Sequence, residues 1–350
     1  MIDFSTLQEL TIPEGVVTEI ADAQGRVLWS YGSPAILEVE KQTLTTYAGE
    51  TEYENEEFIL LDIYPKNANS TVNVTYGGLI KTLEFSGTNA QQVYFGTFNG
   101  VSDSVETPAS GTLTIEGGYK GFGVGTYQTG SKLTGKSYCS CITNVSKWGT
   151  VNYIPNYAFY KCRKLTTSPL PNDITSIGSH AFQYCVNLAL TSLPNGIPYI
   201  NDYTFQGCAK LALTELPSSI TSIGVYAFNG CKNIEISVIP EGVTTIGSYA
   251  FFMDDMELTK MWKAEITLPS TIQSIYDSSF MGEENLLVQP GTYWYPTSVT
   301  ILAVVPPALY YASGAIGNVE KITVPKGCGE AYKAAEGWSR YANYIVELSE

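Results

Sequence analysis

Five phenylalanines in the C-terminal half, Phe159, Phe182, Phe205, Phe228 and Phe251, stand 23 residues apart each time. A fixed period of this length means that one structural unit recurs along an axis. Three residues after the first four come Cys162, Cys185, Cys208 and Cys231, followed by Leu165, Leu188, Leu211 and Ile234. The unit reads Ile-Gly-x-Tyr-Ala-Phe-x-x-Cys-x-x-Leu, then Leu-Pro-x-x-Ile-Thr-Ser. One unit cannot cover its own apolar residues, so units must add edge to edge and place equivalent positions in ladders about 5 Å apart. The segment Ala-Phe-x-x-Cys-x-x-Leu has helical spacing and predicts a short helical turn burying Phe, Cys and Leu on one side. Pro171, Pro194, Pro217, Pro240 and Pro269 end the extended segment of each unit.

This joint recurrence of period, Phe, Cys, Leu and Pro resembles the leucine-rich repeats of the bacterial surface-antigen (BspA-like) class, over roughly residues 150 to 350. The resemblance implies adhesion and recognition. The fifth unit departs from it: Asp254 stands in the Cys place, and an insertion around Met261-Trp262-Lys263 stretches the spacing to Phe280 to 29 residues. A protruding loop is expected there. From Val299 to Glu350 the repeat degrades, with Glu330 to Ala335 reading as helical. This stretch is expected to cap the last open edge of the solenoid.

The repeat also accounts for residues that otherwise suggest chemistry. The single histidine, His180, occupies the slot filled elsewhere by Tyr157, Tyr203, Tyr226 and Tyr249, which makes it structural. Four of the seven cysteines form the repeat ladder and read as buried thiols packing as small apolar groups. Cys139 and Cys141 have no second Cys or His pair at zinc-site spacing, and Cys328 stands alone. The run Glu50, Glu52, Glu54, Glu56, Glu57 lacks an Asp-x-Asp-Gly loop and reads as a solvated strand edge. No metal and no cofactor are expected.

The N-terminal half reads as short strands: Ile36 to Glu40, Thr43 to Tyr47, Phe58 to Tyr64, Thr71 to Tyr76, Leu79 to Phe85, Gln92 to Phe98, Gly111 to Glu116 and Phe122 to Tyr127. Turn signals such as Gly77-Gly78 and Gly117-Gly118 separate them, which predicts an immunoglobulin-like β-sandwich. The expected organisation is mainly β: residues 1–33 as an N-terminal hairpin, 34–130 as the sandwich, 131–298 as the solenoid and 299–350 as degenerate repeat and cap. The first 33 residues, with Ile12, Val17, Val27, Leu28 and Trp29, resemble short leaders of tail and structural proteins of phages that infect gut bacteria. That resemblance implies docking on phage structural proteins. The same hairpin also reads as an edge element packed on the sandwich.

With 34 acidic against 19 basic residues the formal charge is −15, which repels phosphate backbones and anionic headgroups. Neither nucleic acid nor membrane insertion is expected, since no stretch approaches 18 consecutive apolar residues. The start, Met1-Ile2-Asp3-Phe4-Ser5, shows no basic region ahead of an apolar one, so export by an ordinary secretory signal is not expected. No Gly-x-Ser-x-Gly elbow or phosphate loop occurs, and the pairs Asp254-Asp255 and Glu283-Glu284 sit on breaks in the repeat. The chain therefore reads as non-enzymatic. Two carriers fit: a phage virion, with the repeats binding a host-surface glycan or protein, and a bacterial cell surface. A homotrimer follows by analogy with phage fibres. Candidate contact residues are the aromatics Trp262, Tyr293, Trp294, Tyr295, Tyr310 and Tyr311 and, as a second stripe, the Tyr157, Tyr203, Tyr226, Tyr249 ladder, which reads equally as packing of the turns against one another. Ser192, Glu215 and Val238 vary between otherwise matching units, as a contact face would.

Overall fold

The computed structural model describes residues 19–21, 27–30, 34–40, 42–43, 57–98, 101–102, 108, 110–124, 142–166, 169–253, 265–280, 296–310, 315–317 and 319–349. The protein is mainly β with few helices. Outside the described residues lie Ile12, Val17, Tyr293, Trp294, Tyr295, Tyr311, Cys139, Cys141, the acidic run as far as Glu56, both acidic pairs and the loop expected around Met261-Trp262-Lys263. The strand Glu19–Ala21 pairs antiparallel with Val27–Ser30, so the expected hairpin is present in the backbone.

Two antiparallel sheets form the N-terminal unit. One has the order Ile142–Trp148, Ala35–Glu40, Ser110–Gly117, Thr71–Tyr76, Leu79–Glu84. The other runs Tyr119–Val124, Glu57–Pro65, Gln91–Phe98, Val101–Ser102, with Gln42–Thr43 on the start of Glu57–Pro65. Alternation along each strand sends Leu37, Val39, Ile59, Leu61, Ile63, Val72, Val74, Phe95, Leu113 and Ile115 into one shared core. Burying each such side chain contributes about 1.5–3 kcal/mol. The strand Ile142–Trp148 lies beyond the joint expected near 130 and pairs with Ala35–Glu40, so the unit extends to residue 148.

One strand of this unit buries a carboxyl group. Leu61 and Ile63 face the shared core, and alternation turns Asp62 to the opposite side of the strand, where it is still only 9% exposed. Burial raises its pKa from 3.8 to about 6, against the opposing hydrogen bond with the Gln92 side chain. The folded protein therefore holds a proton that the unfolded chain releases, and stability falls as pH rises from 3.8 to about 6. Asp62→Asn is expected to abolish this slope and to stabilise the protein at neutral pH by about 1–3 kcal/mol. Urea unfolding of both proteins at acid and neutral pH measures it.

Beyond residue 148 the chain winds as a solenoid. Two-residue parallel strands recur once per unit: Tyr153–Ile154 pairs with Ser176–Ile177, and Tyr199–Ile200, Ser222–Ile223, Thr245–Ile246, Ser274–Ile275 and Ala308–Leu309 form a five-stranded run. The Phe-Cys segment buries Phe, Cys and Leu together, as expected, but as a series of tight turns and not a continuous helix. Alternate amides bond three residues back, as in Cys162 N–H to Phe159 O and Leu165 N–H to Cys162 O, while those between bond to the next unit, as in Phe159 N–H to Ala181 O, Phe182 to Thr204, Phe205 to Ala227 and Phe228 to Ala250. Two residues per unit take left-handed backbone, which turns alternate amides outward from the helical direction. One is Tyr157, His180, Tyr203, Tyr226 or Tyr249, with φ between 54° and 60°. The other is Lys161 or Tyr184, replaced by Gly207 and Gly230 in the next two units, where glycine removes the steric cost.

Both solenoid ends are closed. At the start, the free edge of Tyr119–Val124 accepts the Asn152 amide at Lys120 O (3.1 Å) and donates from Val124 to Ala158 O. Phe122 and Trp148 meet Phe159 edge to face at 6.0 and 5.7 Å, so the two-sheet unit and the solenoid share one core. At the far end a parallel sheet of Glu265–Leu268, Ser298–Ile301, Lys321–Val324 and Ile345–Glu347 is covered by the helix Gly329–Ala334 and the 3-10 helix Ser339–Tyr344. Tyr332 Oη donates to Ala303 O at 2.7 Å, and Trp338 Nε1 donates to Pro307 O at 2.8 Å. Both side chains are buried, so the cap is fixed by bonds made away from water. Among the described residues no helix is long and apolar enough to cross a membrane.

Candidate functional site: the outward faces of the repeats

The interior of the solenoid is taken by ladders. Phe159, Phe182, Phe205, Phe228, Phe251 and Phe280 stack with centroids 5.3 to 5.6 Å apart. Phe280 keeps its place in the stack despite the 29-residue spacing that precedes it. Beside the rings, the Cys185, Cys208 and Cys231 thiols donate to the carbonyls of Phe159, Phe182 and Phe205 at 2.9 to 3.0 Å. All four repeat cysteines are free thiols and buried, and burial pushes Cys185 and Cys208 well above the ordinary thiol range. Alkylation of the native protein is expected to spare these four while denaturant makes them react. Peptide mass spectrometry of both samples reads the difference, and native labelling of Cys208 would contradict it.

The Tyr157, His180, Tyr203, Tyr226, Tyr249 row stacks in parallel at 4.4 to 5.0 Å, each residue half-buried. His180 fills the tyrosine slot, with Nδ1 2.6 Å from Gln183 Oε1. From there an amide chain crosses the units. Gln183 Nε2 donates to Gln206 Oε1, Gln206 Nε2 to Asn229 Oδ1 at 3.0 Å, and Asn229 Nδ2 to Phe252 O at 3.1 Å. Each carboxamide accepts from one neighbour and donates to the next, which assigns the proton of this contact to His180 Nδ1. These bonds tie four consecutive units together, so this row serves cohesion and offers only its ring edges outward.

A different side carries the uncommitted groups. Ser192, Glu215 and Val238 all point to solvent, Val238 being 57% exposed. Ser192 and Glu215 border a groove with Asn172, Asn195 and Ser218, over a floor of buried Leu193, Leu216 and Pro217. Further aromatic surface comes from Tyr199, 52% exposed, and Tyr310, which stacks on Tyr276 at 4.5 Å. The backbone under the groove is fixed by Ala212 N–H to Leu190 O and Ile220 N–H to Pro217 O. Sequence reading missed Asn172, Asn195 and Ser218 because Asn and Ser after Leu-Pro are ordinary turn residues. The usable signal was their recurrence at one place in successive units.

Residues 152–287 match the profile of the BspA type leucine rich repeat region, in six copies. No curated protein matches the chain. Among solved structures, a leucine-rich repeat protein of T. pallidum is 25% identical, the match covering 53% of this chain and 81% of that one with a TM-score of 0.34. One from Bacteroides ovatus is 19% identical, with 59% and 71% covered and a TM-score of 0.28. A leucine rich cell surface protein from Faecalibacterium prausnitzii is 19% identical, with 61% and 74% covered and a TM-score of 0.32. Within the matched residues the recurring Phe and Cys positions are buried, whereas the varying positions 192, 215 and 238 are exposed. Among the described residues no group of three or more His, Cys, Asp and Glu is placed to hold a metal ion.

Proposed function

We propose that the chain is a non-enzymatic adhesive protein whose repeats bind a glycan or protein on a cell surface. One observation carries this reading: Phe182, Phe205 and Phe228 recur at 0% exposure, while Ser192, Glu215 and Val238 differ from unit to unit and face solvent. Ladder packing demands identity inside, and recognition makes use of variation outside. The two-sheet unit acts as an immunoglobulin-like spacer that also closes the solenoid. Tyr157, Tyr203, Tyr226 and Tyr249 offer a second contact stripe through their ring edges, with Trp262, Tyr293, Trp294 and Tyr295 as further contacts.

The BspA-type repeats support display on a bacterial surface. The virion reading rests on residues 1–33, in which the strand pairing of Glu19–Ala21 with Val27–Ser30 forms a small hairpin that needs a partner surface. In that reading Ile12, Val17, Val27, Leu28 and Trp29 dock on phage structural proteins, and the assembly is a homotrimer. Fluorescently labelled full-length chain, applied to a panel of bacterial strains and their isolated envelopes, tests the adhesive function. Saturable binding displaced by unlabelled chain is the expected result; no binding to any of them, or release of cleaved products from the bound surface, refutes it. Mass spectrometry of phage particles and of envelopes then assigns the carrier, and deletion of residues 1–33 abolishes particle incorporation if the virion reading holds.

A further inference from the structure

We infer that the groove bordered by Asn172, Ser192, Asn195, Glu215 and Ser218 is a binding site for a linear neutral glycan. This assignment rests on the adhesive reading and narrows it to one ligand class. Among the described residues, none of these five side chains is engaged in a hydrogen bond with the protein. The position of Asn172, Asn195 and Ser218 continues as Glu241 and Ser270, and there it is engaged. The Glu241 carboxylate accepts from Ser270 N at 3.0 Å and Ser270 Oγ at 2.9 Å. The position after it is bonded in early and late units alike, since Ser219 donates to Ile197 O at 2.7 Å and Thr271 Oγ1 to Val243 O at 2.9 Å. Among the described residues, then, Asn172, Asn195 and Ser218 are uncommitted where Glu241 and Ser270 bond each other.

The lining fixes the ligand's chemistry. Two carboxamides, two hydroxyls and one carboxylate supply both donors and acceptors, as a polyol requires. Among the described residues no cation lines the groove, and the chain carries −15, so a phosphate or sulfate finds no counter-charge there. The floor of Leu193, Leu216 and Pro217 accepts the C–H face of a pyranose while the rim meets its hydroxyls. Asn172 and Asn195, like Ser192 and Glu215, are 23 residues apart and hence one unit apart along the axis. A chain of repeated sugars laid along that axis meets like groups at the pitch of the ladder, about 5 Å.

Isothermal titration calorimetry of the full-length chain with linear gluco-, manno- and galacto-configured oligosaccharides, and with a sulfated oligosaccharide, tests the site. At least one neutral oligosaccharide is expected to bind, with Asn195→Ala and Glu215→Ala each weakening it about tenfold or more. Both residues are exposed, so thermal unfolding stays unchanged, and Glu241→Ala, on the same row but already bonded, keeps the affinity. Binding of no neutral oligosaccharide, binding of the sulfated one alone, or equal affinity in Asn195→Ala and Glu215→Ala overturns the assignment. The adhesive reading is separately distinguishable. If both variants still coat cells like the unaltered chain, or if cell binding proves to need a surface protein, the groove assignment fails while adhesion stands.

Discussion

Phe205→Ala is expected to lower the stability of the solenoid by about 3–5 kcal/mol, the range for truncating a fully buried phenylalanine. Its ring lies between Phe182 and Phe228, each 5.6 Å away and within 6° of parallel, and none of it reaches solvent. Collapse into the cavity is opposed from both sides. The Phe205 carbonyl accepts the Cys231 thiol at 3.0 Å, and the Phe205 amide is bonded to Ala227 O, so the backbone holds the void open. Because a solenoid is stabilised by nearest-neighbour contacts, a weak middle unit also divides it into two arrays. Urea unfolding followed by tryptophan fluorescence and circular dichroism should show an early transition and loss of coincidence between the two signals. A shift below about 1 kcal/mol with one coincident transition would mean that the stack is not the main source of cohesion.

Gly121→Val is expected to be nearly as damaging, although it adds atoms. A Cβ at Gly121 would lie 2.4 Å from the Tyr153 carbonyl oxygen, an approach that only backbone movement relieves. That movement opens the joint at which Asn152 bonds to Lys120 and Val124 bonds to Ala158, and it uncovers the Phe159 end of the stack. Overpacking of this kind costs about 1–3 kcal/mol, and each disrupted hydrogen bond adds about 1 kcal/mol. Amide exchange should rise in the first unit, at Asn152 and Ala158, before any change at the C-terminal cap. Gly87→Ala, where an added Cβ meets nothing within 4 Å, should stay within about 0.5 kcal/mol of the unaltered protein.

The ladders were legible because identical residues at identical spacing admit one physical explanation. The conformation between them was not. Phe159, Cys162 and Leu165 are three apart, a spacing that suits a helix and a chain of tight turns alike. What decides is left-handed backbone at Tyr157 and Lys161, residue types that give no sign of it; only Gly207 and Gly230, two units on, hint at the second position. The joint was hidden for another reason. Ile142–Trp148 finds its partner in Ala35–Glu40, about 100 residues earlier, and local pattern carries no information about pairing at that distance. The outward orientation of Ser192, Glu215 and Val238 needed the register of the turns, and the availability of Asn172, Asn195 and Ser218 needed to be seen against Glu241 and Ser270, which are bonded to each other.

Hydrogen exchange of the full-length chain, alone and saturated with envelope fragments from a strain it binds, addresses directly whether the repeats are the recognising part. The expected result is protection in the peptides that carry Asn172, Ser192, Asn195, Glu215 and Ser218, with the two-sheet core around Leu37, Leu61 and Leu113 unchanged. Protection confined to the two-sheet unit, with the repeats unaltered, would contradict the assignment of recognition to the solenoid.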